Sequence, residues 1–308
     1  MYKNTKITTP VVLIIFNRPE LTKRIFQEIR NVKPTALYVI ADGPRKTRPG
    51  ENERCILTRN IIETVDWECK VYKNYSDVNL GCKKRISSGI SWVFENTEEA
   101  IILEDDCLPH LTFFQYCEEL LQKYREDERV MMISGNNFFR RSNIAEYSYY
   151  FTSFNHIWGW ATWRRAWQHY DLEMKKWPKL KNSGFLLEIV KDPKSVHYWN
   201  TILQEVYDGK INTWAYQWLF AGWVNNKLNI IPSKNLISNI GFGVDSTHTA
   251  EKDHPFSNLP LVEMEFPLSH PPEVIRNMKT DLYETKTVHR FGMREKFVRF
   301  VKKLLRIY

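Results

Sequence analysis

Short, wholly apolar runs recur through the first 135 or so residues and alternate with segments of helical spacing. The runs cover residues 11–16, 37–41, 101–103 and 130–134, and a weaker one lies at 71–72. Runs of this length that are rich in β-branched residues are typical of strands covered on both faces. Helices are predicted between them, at residues 19–29, 51–66, 83–94 and 108–125. This alternation predicts an α/β, Rossmann-like fold with a mostly parallel sheet flanked by helices.

The second half of the chain changes character, because nine of the 11 tryptophans lie between Trp158 and Trp223. The clear alternation of strand and helix stops there. Helices are predicted at 160–170, 194–208 and 214–226, with a short strand at 230–231. Aromatic residues at such density more often form a core than a binding surface, so we expect most of these tryptophans to be buried and one or two to line a pocket.

The sequence contains no internal repeat and no low-complexity linker, which predicts one compact body with subregions. An α/β region at 1–135 is followed by a largely helical region at 136–250. Residues 251–289 are rich in proline and polar residues and are predicted to wrap the surface. Residues 290–308 are predicted to form a basic amphipathic helix.

Most of the net charge lies in that last segment. The 308 residues carry a formal charge of +8, and residues 290–308 hold seven Lys and Arg against one Glu, a surplus of six. The near-neutral remainder lacks the basic surface that nucleic acid requires, so no nucleic-acid partner is expected. A basic amphipathic helix can lie in an anionic membrane surface. The alternative is that it packs on the body through its apolar face.

The cysteines indicate the compartment. Five cysteines, no C-x-x-C pair and no secretory signal peptide predict reduced thiols in a cytoplasmic protein. The longest apolar run near the N-terminus, at 11–16, is far shorter than the ~20 residues of a membrane-spanning helix. Any membrane contact is therefore expected to be peripheral, at the inner face, through residues 290–308.

Polar residues follow three of the predicted strands at the points where they end. They are Asn17 and Arg18, Asp42 and Gly43, and Glu104, Asp105 and Asp106. Ligands of parallel sheets bind at the carboxyl ends of strands, so these groups are expected to share one site. Three adjacent acids after a buried strand repel each other, and Mg²⁺ or Mn²⁺ carrying a nucleotide diphosphate would relieve that repulsion. A solvated acidic turn is the alternative.

Three further groups could serve such a ligand. Asp42 can accept hydrogen bonds from a ribose or a base, although Asp-Gly also marks simple turns. Lys83 and Arg85 lie in the first turn of a predicted helix, where cations oppose the helix dipole unless an anion binds there. His248 follows a glycine-rich turn and could bind metal or phosphate. A solvated basic turn and an ordinary surface histidine are the respective alternatives.

Taken together, these motifs resemble the GT-A glycosyltransferases. They are most similar to bacterial nucleotide-diphospho-sugar transferases related to the Golgi N-acetylglucosaminyltransferase that starts complex N-glycans. The matching stretches are PVVLIIFNRPE (10–20), YVIADGPR (38–45), NLGCKKR (79–85), ILEDDCLP (102–109), WGWATWRRAW (158–167), TWAYQW (213–218) and SNIGFGVDSTHT (238–249). Each is weak alone, but the ordered set across residues 10–250 is specific.

The resemblance implies a metal-dependent, inverting transfer of a sugar from a nucleotide-diphosphate donor, a UDP-sugar, to a glycan or lipid-linked acceptor in bacterial surface-glycan synthesis. Residues 1–135 would bind the donor and residues 136–250 the acceptor. The implied donor-binding residues are Asn17, Arg18, Asp42, Lys83, Arg85, Glu104 and Asp105. The implied metal ligands are Asp106 and His248, and the implied acceptor-binding residues are Trp158, Trp160, Tyr216 and Gln217.

The sequence departs from the family pattern at the expected base. An inverting enzyme needs a carboxylate that takes the proton of the acceptor hydroxyl. Relatives typically read Trp-Asp-Tyr-Gln-Trp where this chain has Ala215 in the second position. Three explanations stay open: an engineered Asp→Ala variant, a substitute carboxylate among Asp245, Asp171 and Glu173, or a naturally inactive relative.

Two other classes of protein remain as alternatives. A sugar nucleotidyltransferase also uses a nucleotide-binding α/β sheet, but it is expected to carry a glycine-rich basic loop after the first strand. Residues 16–20 contain no glycine. A nucleotide-sugar-binding protein with decayed chemistry is the non-enzymatic alternative, and Ala215 is the residue that favours it.

Overall fold

A computed structural model describes residues 7–139, 146–242 and 256–286. Its strands are β1 (Val11–Ile15), β2 (Ala36–Ala41), β3 (Lys70–Tyr75), β4 (Glu99–Glu104), β5 (Cys107–Pro109), β6 (Val130–Ser134), β7 (Tyr149–Thr152), β8 (Trp160–Trp163), β9 (Leu228–Pro232) and β10 (Ile237–Asn239). Its helices are α1 (Pro19–Val32), α2 (Glu51–Asn60), α3 (Gly81–Asn96), α4 (Thr112–Lys123), α5 (Arg164–Trp167), α6 (Trp177–Leu180), α7 (Phe185–Val190), α8 (Pro193–Tyr207) and α9 (Ala215–Val224). A short 3₁₀ turn at Ile62–Thr64 follows α2.

Eight strands form one sheet in the order β3-β2-β1-β4-β8-β6-β9-β7. Four of the seven pairings between these described strands are parallel. Every residue of β1 and β6 is buried, which is why the sequence shows unbroken apolar runs there rather than alternation. The predicted α/β architecture with a mostly parallel sheet and flanking helices is confirmed.

The predicted helix at 160–170 is wrong in its first part. Residues Trp160–Trp163 form β8, which runs antiparallel between β4 and β6, and α5 begins only at Arg164. All four residues of β8 are buried. A buried strand has no polar face and therefore no alternation by which to recognise it. Strands from both predicted regions, 1–135 and 136–250, thus share one sheet.

The helices pack through the faces that the sequence indicated. In α1, Pro19 starts the first turn, and Ile25, Phe26 and Ile29 point into the core. A second apolar cluster, formed around Trp177, Trp199 and Trp223 by the helices after α5, lies beside the main core. Most tryptophans of this half are buried, as expected; the fully buried ones are Trp160, Trp163, Trp177, Trp214 and Trp218.

The described chain after β10 resumes at residue 256 and ends in a helix. Residues 256–277 contain no regular element beyond an isolated bridge between Phe151 and Arg276. Residues 278–286 are helical, which the sequence did not predict. This helix carries two buried carboxylates, Asp281 and Glu284. Asp281 accepts hydrogen bonds from Ser153 and Arg276, so the helix is fastened to the end of β7.

Among the described residues, no helix is both apolar enough and long enough to cross a bilayer.

Candidate functional site

The polar residues predicted to meet at the sheet edge do meet there. β1 pairs in parallel with β2 on one side and with β4 on the other, so the carboxyl ends of all three strands lie together. The residues at or just after these ends are Asn17 and Arg18, Asp42, and Glu104, Asp105 and Asp106. The structure therefore supplies one polar edge with both signs of charge.

Arg18 joins the end of β1 to the acidic residues after β4. Its Nη1 lies 3.3 Å from Asp105 Oδ1 and 2.9 Å from Asp106 Oδ2. The Arg18 side chain is only 13% exposed, so water screens these ion pairs weakly. Burial opposes the charge of Arg18, but Asp105 and Asp106 outweigh that effect and raise its pKa. The acidic residues thus have a cationic partner within the chain.

One guanidinium does not offset three carboxylates. Burial raises the pKa of Glu104 and of Asp105, and repulsion from Asp106 adds to both rises. The backbone N–H of Phe16 also donates to Asp105. The Asp106 side chain is 18% exposed against 10% for Asp105. Of these two aspartates, Asp106 is therefore better placed to meet a ligand arriving from solvent.

A two-stranded antiparallel sheet, β5 with β10, begins directly after Asp106. The Ile240 N–H donates to the Asp106 carbonyl at 2.8 Å. The backbone of Gly241 lies so close to Asp106 that a side-chain Cβ at position 241 would collide with the Asp106 carboxyl group. Glycine lets the backbone pass where no other residue would fit. Arg18 and Gly241 therefore both lie beside the same oxygen of Asp106, Oδ2.

The Asp42 carboxylate holds the start of α3. Oδ1 accepts the backbone N–H groups of Gly43 and Leu80, both at 2.9 Å. Oδ2 accepts the Gly81 N–H at 3.0 Å and the Asn79 amide at 3.1 Å. Four protein donors thus occupy the two oxygens, and Asp42 is only 8% exposed. This structural role differs from the predicted contact with a ribose or a base.

Arg85 turns inward from α3. It is 5% exposed, and its guanidinium donates to the carbonyl oxygens of Ala41 and Asn74. Burial lowers its pKa. Arg85 therefore ties the ends of β2 and β3 together, which differs from the predicted contact with a base or diphosphate. Lys83 is half-buried at the helix start, where its backbone N–H donates to Asn212 Oδ1 at 2.9 Å.

Asn17 belongs to a network at the start of α2. Its amide donates to Glu51 Oε1 at 2.9 Å, and its carbonyl accepts from Arg54. Glu51 is 5% exposed and also accepts from Arg45, whose guanidinium lies 5.4 Å from the centre of the Phe16 ring. The network fixes the connection between β1 and α1, and with it the position of Arg18.

No group of three side chains suited to hold a metal ion occurs in the described parts of the chain. A Mg²⁺ or Mn²⁺ site that carries a diphosphate needs fewer protein ligands, because phosphate oxygens and water complete the coordination. Asp106 supplies a partly exposed carboxylate beside incompletely offset negative charge. Hard oxygen donors of this kind suit either cation. The residues therefore fit the implied metal in combination with a diphosphate.

Position 215 begins α9, in the second half of the chain. The Ala215 N–H donates to the Thr213 hydroxyl at 3.2 Å, at the start of α9. The thiol of Cys82 in α3 hydrogen-bonds to the backbone of Trp214, and burial together with the charge of Glu104 raises the pKa of that thiol to about 12. The segment around Ala215 is therefore packed against α3, near the acidic residues.

Two of the three substitute bases lie in the described structure. The Asp171 carboxylate accepts the backbone N–H groups of Glu173 at 3.2 Å and of Lys175 at 2.7 Å, so it stabilises its own turn. Glu173 is exposed. The third candidate, Asp245, lies outside the described residues, as do His248 and residues 290–308.

Trp158 belongs to an aromatic cluster beside Asp106. Its ring centre lies 5.0 Å from that of Phe138 and 5.7 Å from that of Phe242, which follows the glycine that packs on Asp106. Phe256 lies 4.6 Å from Phe138. All four rings are half-buried. They form a partly open apolar border to the acidic edge.

The other predicted acceptor-binding residues are placed differently. Trp160 is 1% exposed and stacks on Trp214 with ring centres 5.5 Å apart. Gln217 is also 1% exposed, and its amide atoms have no hydrogen-bond partner within the described structure. Tyr216 packs beside Trp199 in the helical cluster. Burial keeps Trp160 and Gln217 from an acceptor, and of the four predicted residues Trp158 borders the edge.

Some residues that shape the site had no recognisable signal in the sequence. Glu51 and Asn212 are single polar residues without a motif, and their contacts join segments 34 and 129 residues apart in sequence. Gly241 was visible only as part of a glycine-rich turn. Its close approach to Asp106 depends on the pairing of β5 with β10, which involves two three-residue strands.

The sequence matches neither an established family nor a curated protein. The solved structures show remote likenesses. A UDP-glucose pyrophosphorylase complexed with UDP-glucose is 12% identical, with a TM-score of 0.28 over 47% of this chain and 62% of that chain. A 4-diphosphocytidyl-2C-methyl-D-erythritol synthase from Anaerococcus prevotii DSM 20548 is 9% identical, with a TM-score of 0.34 over 64% and 99%. An apo UDP-glucose pyrophosphorylase is 10% identical, with a TM-score of 0.37 over 74% and 93%.

This chain spans about 62% of the length of the first of these structures. Similarities at this level assign no family, and the resemblance to relatives of N-acetylglucosaminyltransferase has no family match behind it. The functional conclusion therefore depends on the geometry of the site.

Proposed function

We propose that this protein binds a nucleoside-diphosphate sugar at the polar sheet edge and transfers the sugar to a hydroxyl group of a glycan or lipid-linked acceptor. The observation that carries the proposal is the ion pairing of Arg18 with Asp105 and Asp106 where β1 and β4 end. A diphosphate requires a cationic side chain, and a cation bridging it to the protein requires a carboxylate. Both groups lie within 3 Å of each other at the edge where such sheets bind ligands.

In this proposal Asp106 holds Mg²⁺ or Mn²⁺, with His248 as the second ligand that the resemblance implies. The bound cation would act as a Lewis acid on the leaving diphosphate. Asn17, Arg18 and Lys83 line the donor side, and Trp158 with its neighbouring rings lines the acceptor side. The roles of Asp42 and Arg85 are to position α3 and the strand ends that carry this site.

The transfer itself is a single displacement. The acceptor oxygen bonds to the anomeric carbon as the bond from that carbon to the diphosphate oxygen breaks, and the hydroxyl proton passes to a base. A carboxylate at position 215 would supply that base from the start of α9. Ala215 cannot accept a proton, so we expect slow transfer by this chain and normal donor binding.

Nucleotidyl transfer is the second candidate, because two of the remote structural likenesses are named UDP-glucose pyrophosphorylase. In that reaction the nucleotide's α-phosphate, not the sugar, is attacked. The connection between β1 and α1 argues against it here. It comprises three residues, Phe16, Asn17 and Arg18, and contains no glycine, so it offers no glycine-rich loop to cradle a triphosphate.

Calorimetry with UDP, GDP and CDP, each with and without Mn²⁺, tests the site. We expect metal-dependent binding, tightest for UDP. Product analysis then separates the classes: free UDP with a glycosylated acceptor or free sugar indicates glycosyl transfer, whereas UTP formed from a UDP-sugar and pyrophosphate indicates nucleotidyl transfer. Binding without either product indicates decayed chemistry. If no nucleotide binds under any condition, the proposal is wrong.

A further inference from the structure

We infer that the outward-facing side of helix 278–286 is a contact surface for an anionic lipid membrane. The side chains of this outer face are Met278, Lys279, Leu282, Tyr283 and Lys286. The outer face is separate from the basic segment 290–308, which follows it in the chain. Membrane contact at this face goes beyond the proposed function and does not depend on it.

The first argument is that the two sides of this helix are inverted relative to an ordinary surface helix, which buries an apolar stripe and exposes polar residues. Here the buried positions, each between 1% and 3% exposed, are all polar: Thr280, Asp281, Glu284 and Thr285. The outer face instead holds three large hydrophobic side chains. Met278 is 36% exposed, Tyr283 is 45% exposed and Leu282 is half-buried. At about 3.6 residues per turn, the two sets lie on opposite sides of the helix.

The second argument is that polar contacts attach the helix to the body. Asp281 Oδ2 accepts a hydrogen bond from Arg276 Nε at 2.5 Å, and Glu284 Oε1 lies 2.9 Å from His156 Nε2. Both carboxylates belong to the buried side of the helix. The exposed parts of the hydrophobic side chains on the outer face therefore remain available to a partner. Hydrophobic side chains that are grouped and exposed on one surface mark interaction sites.

The third argument is the charge of the outer face. Lys279 and Lys286 are both exposed, and none of its five positions is acidic. The two acids of the helix, Asp281 and Glu284, are buried in ion pairs. Lysine side chains reach lipid phosphates while apolar neighbours enter the acyl boundary. Two copies of such a positively charged face would repel each other, so the charge favours an anionic lipid surface over a second copy of this chain.

The outer face is too small to hold the protein on a membrane alone. Stable attachment takes two signals, such as an inserted apolar group together with a basic patch. Residues 290–308 carry six surplus positive charges and supply the second signal. We therefore expect the outer face to strengthen the binding of the full chain, and not to retain a chain from which residues 290–308 have been removed.

The experiment measures co-sedimentation of the full-length protein with liposomes of phosphatidylglycerol and phosphatidylcholine. The double variant Met278→Ser with Tyr283→Ser removes apolar area but keeps the net charge, so the attraction of residues 290–308 is unchanged. We expect its partition coefficient to fall about 10-fold. The matched control is Ile56→Ser with Leu57→Ser, because these hydrophobic side chains of α2 are 48% and 56% exposed. This control should bind as the unsubstituted protein does.

Met278→Leu with Tyr283→Phe guards against a folding defect in the serine variant, since Tyr283 also contacts Phe139 with ring centres 4.9 Å apart. It keeps the apolar area and should bind liposomes as the unsubstituted protein does. Thermal unfolding confirms that each variant is folded, and light scattering without lipid gives its oligomeric state.

Two results would overturn the membrane contact at the outer face. One is that the serine variant sediments as the unsubstituted protein does, or that the unsubstituted protein does not bind the liposomes. The other is that the serine substitutions convert a dimer to a monomer and leave liposome binding intact, which would make the outer face an interface between two copies. Neither result bears on nucleotide binding, which calorimetry with UDP and Mn²⁺ measures separately.

Discussion

In the proposed function, the methyl group of Ala215 leaves sugar transfer without a base at that position. Restoring a carboxylate there should supply the base that receives the acceptor proton. We expect Ala215→Asp to raise the turnover number by at least ~10²-fold, since general-base catalysis typically contributes 10²–10⁴-fold. Steady-state release of UDP from a UDP-sugar with acceptor present measures it.

Ala215→Asn is the control for that substitution, because asparagine has the shape of aspartate but does not accept a proton at neutral pH. It should leave the rate near that of the starting chain. If Ala215→Asp does not change the rate while donor binding stays intact, position 215 is not where the base lies.

His156 is a second residue whose surroundings decide its state. Its Nδ1 lies 3.1 Å from the Asn136 carbonyl oxygen and its Nε2 lies 2.9 Å from Glu284 Oε1. Both neighbours present oxygens, and this arrangement favours a proton on each ring nitrogen and a positive charge on the ring. Burial opposes that charge, but Glu284 outweighs it and raises the pKa of His156. A buried ion pair therefore fastens helix 278–286 to the body.

This pair predicts a pH-dependent stability. A raised pKa in the folded state means that the stabilisation is complete below the unfolded value of about 6.5 and is lost as pH rises through the folded pKa. We expect Glu284→Gln to lower the free energy of unfolding by about 3 kcal/mol at pH 6 and to flatten its decline above pH 6.5. Urea unfolding between pH 6 and 9 measures both effects.

Glu119→Gln is the matched control for the buried pair. Glu119 lies 3.4 Å from His270, but both side chains are about one-third exposed. Solvent screens such a pair, so the change should be about 0.5 kcal/mol or less. Equal effects of the two substitutions would show that His156 and Glu284 do not form a stabilising ion pair.

At the scale of single residues, the sequence was sufficient to locate the polar sheet edge, but not to assign the role of every residue that lies there. The positions of Arg18 and Asp106 followed from the rule that ligands bind where parallel strands end. The roles of Asp42 and Arg85 did not, because a strand-end polar group can face the ligand or hold the next helix. Only the neighbours 38 and 44 residues away in sequence decide between these, and no local pattern encodes them.

Among the elements, α3 depends most directly on a single side chain. The Asp42 carboxylate accepts the N–H groups of Leu80 and Gly81 at its start, where the helix has no capping side chain of its own at Leu80. Asp42→Ala would leave these part-buried donors unpaired, which costs about 1–3 kcal/mol for each group. We expect a loss of at least about 2 kcal/mol in the free energy of unfolding, measured with urea.

Asp77→Ala tests whether any aspartate in this neighbourhood has the same effect. Asp77 precedes α3 in the same connection but is exposed. Its replacement should change the free energy of unfolding by no more than about 0.5 kcal/mol. A similar loss in both variants would contradict the capping role of Asp42.

The strands also show where prediction from sequence ends. β1, β2, β4 and β6 were recognisable because their apolar runs are short, unbroken and rich in β-branched residues. β7 and β8 were not, since each has only four residues, with aromatic and hydroxyl side chains. They form because distant strands offer free edges: β8 pairs with β4 and β6, and β7 pairs with β9. Such pairing is a tertiary effect that local composition does not reveal.

For the whole molecule, the uneven distribution of charge along the chain predicts binding to an anionic membrane surface. Residues 290–308 hold six of the eight surplus positive charges. Each basic residue near an anionic surface contributes about 1 kcal/mol to binding. We expect the full chain to sediment with liposomes containing phosphatidylserine or phosphatidylglycerol, and a chain ending at residue 289 to remain in the supernatant.

Neutral phosphatidylcholine liposomes provide the control for that experiment, because they lack the surface charge. The shortened chain keeps helix 278–286 and therefore the buried pair of His156 with Glu284. If it binds anionic liposomes as well as the full chain does, residues 290–308 are not the membrane contact.

The position of β8 has a consequence for how the chain is made. A ribosome releases β4 at residues 99–104 and β6 at 130–134 before β8 at 160–163 exists, yet β8 lies between them in the finished sheet. The edges of β4 and β6 that pair with β8 therefore have no partner from β8 until residues 160–163 have been synthesised. Exposed strand edges of this kind invite wrong pairing and aggregation. We therefore expect the yield of correctly folded protein to depend on how fast residues 135–163 are synthesised.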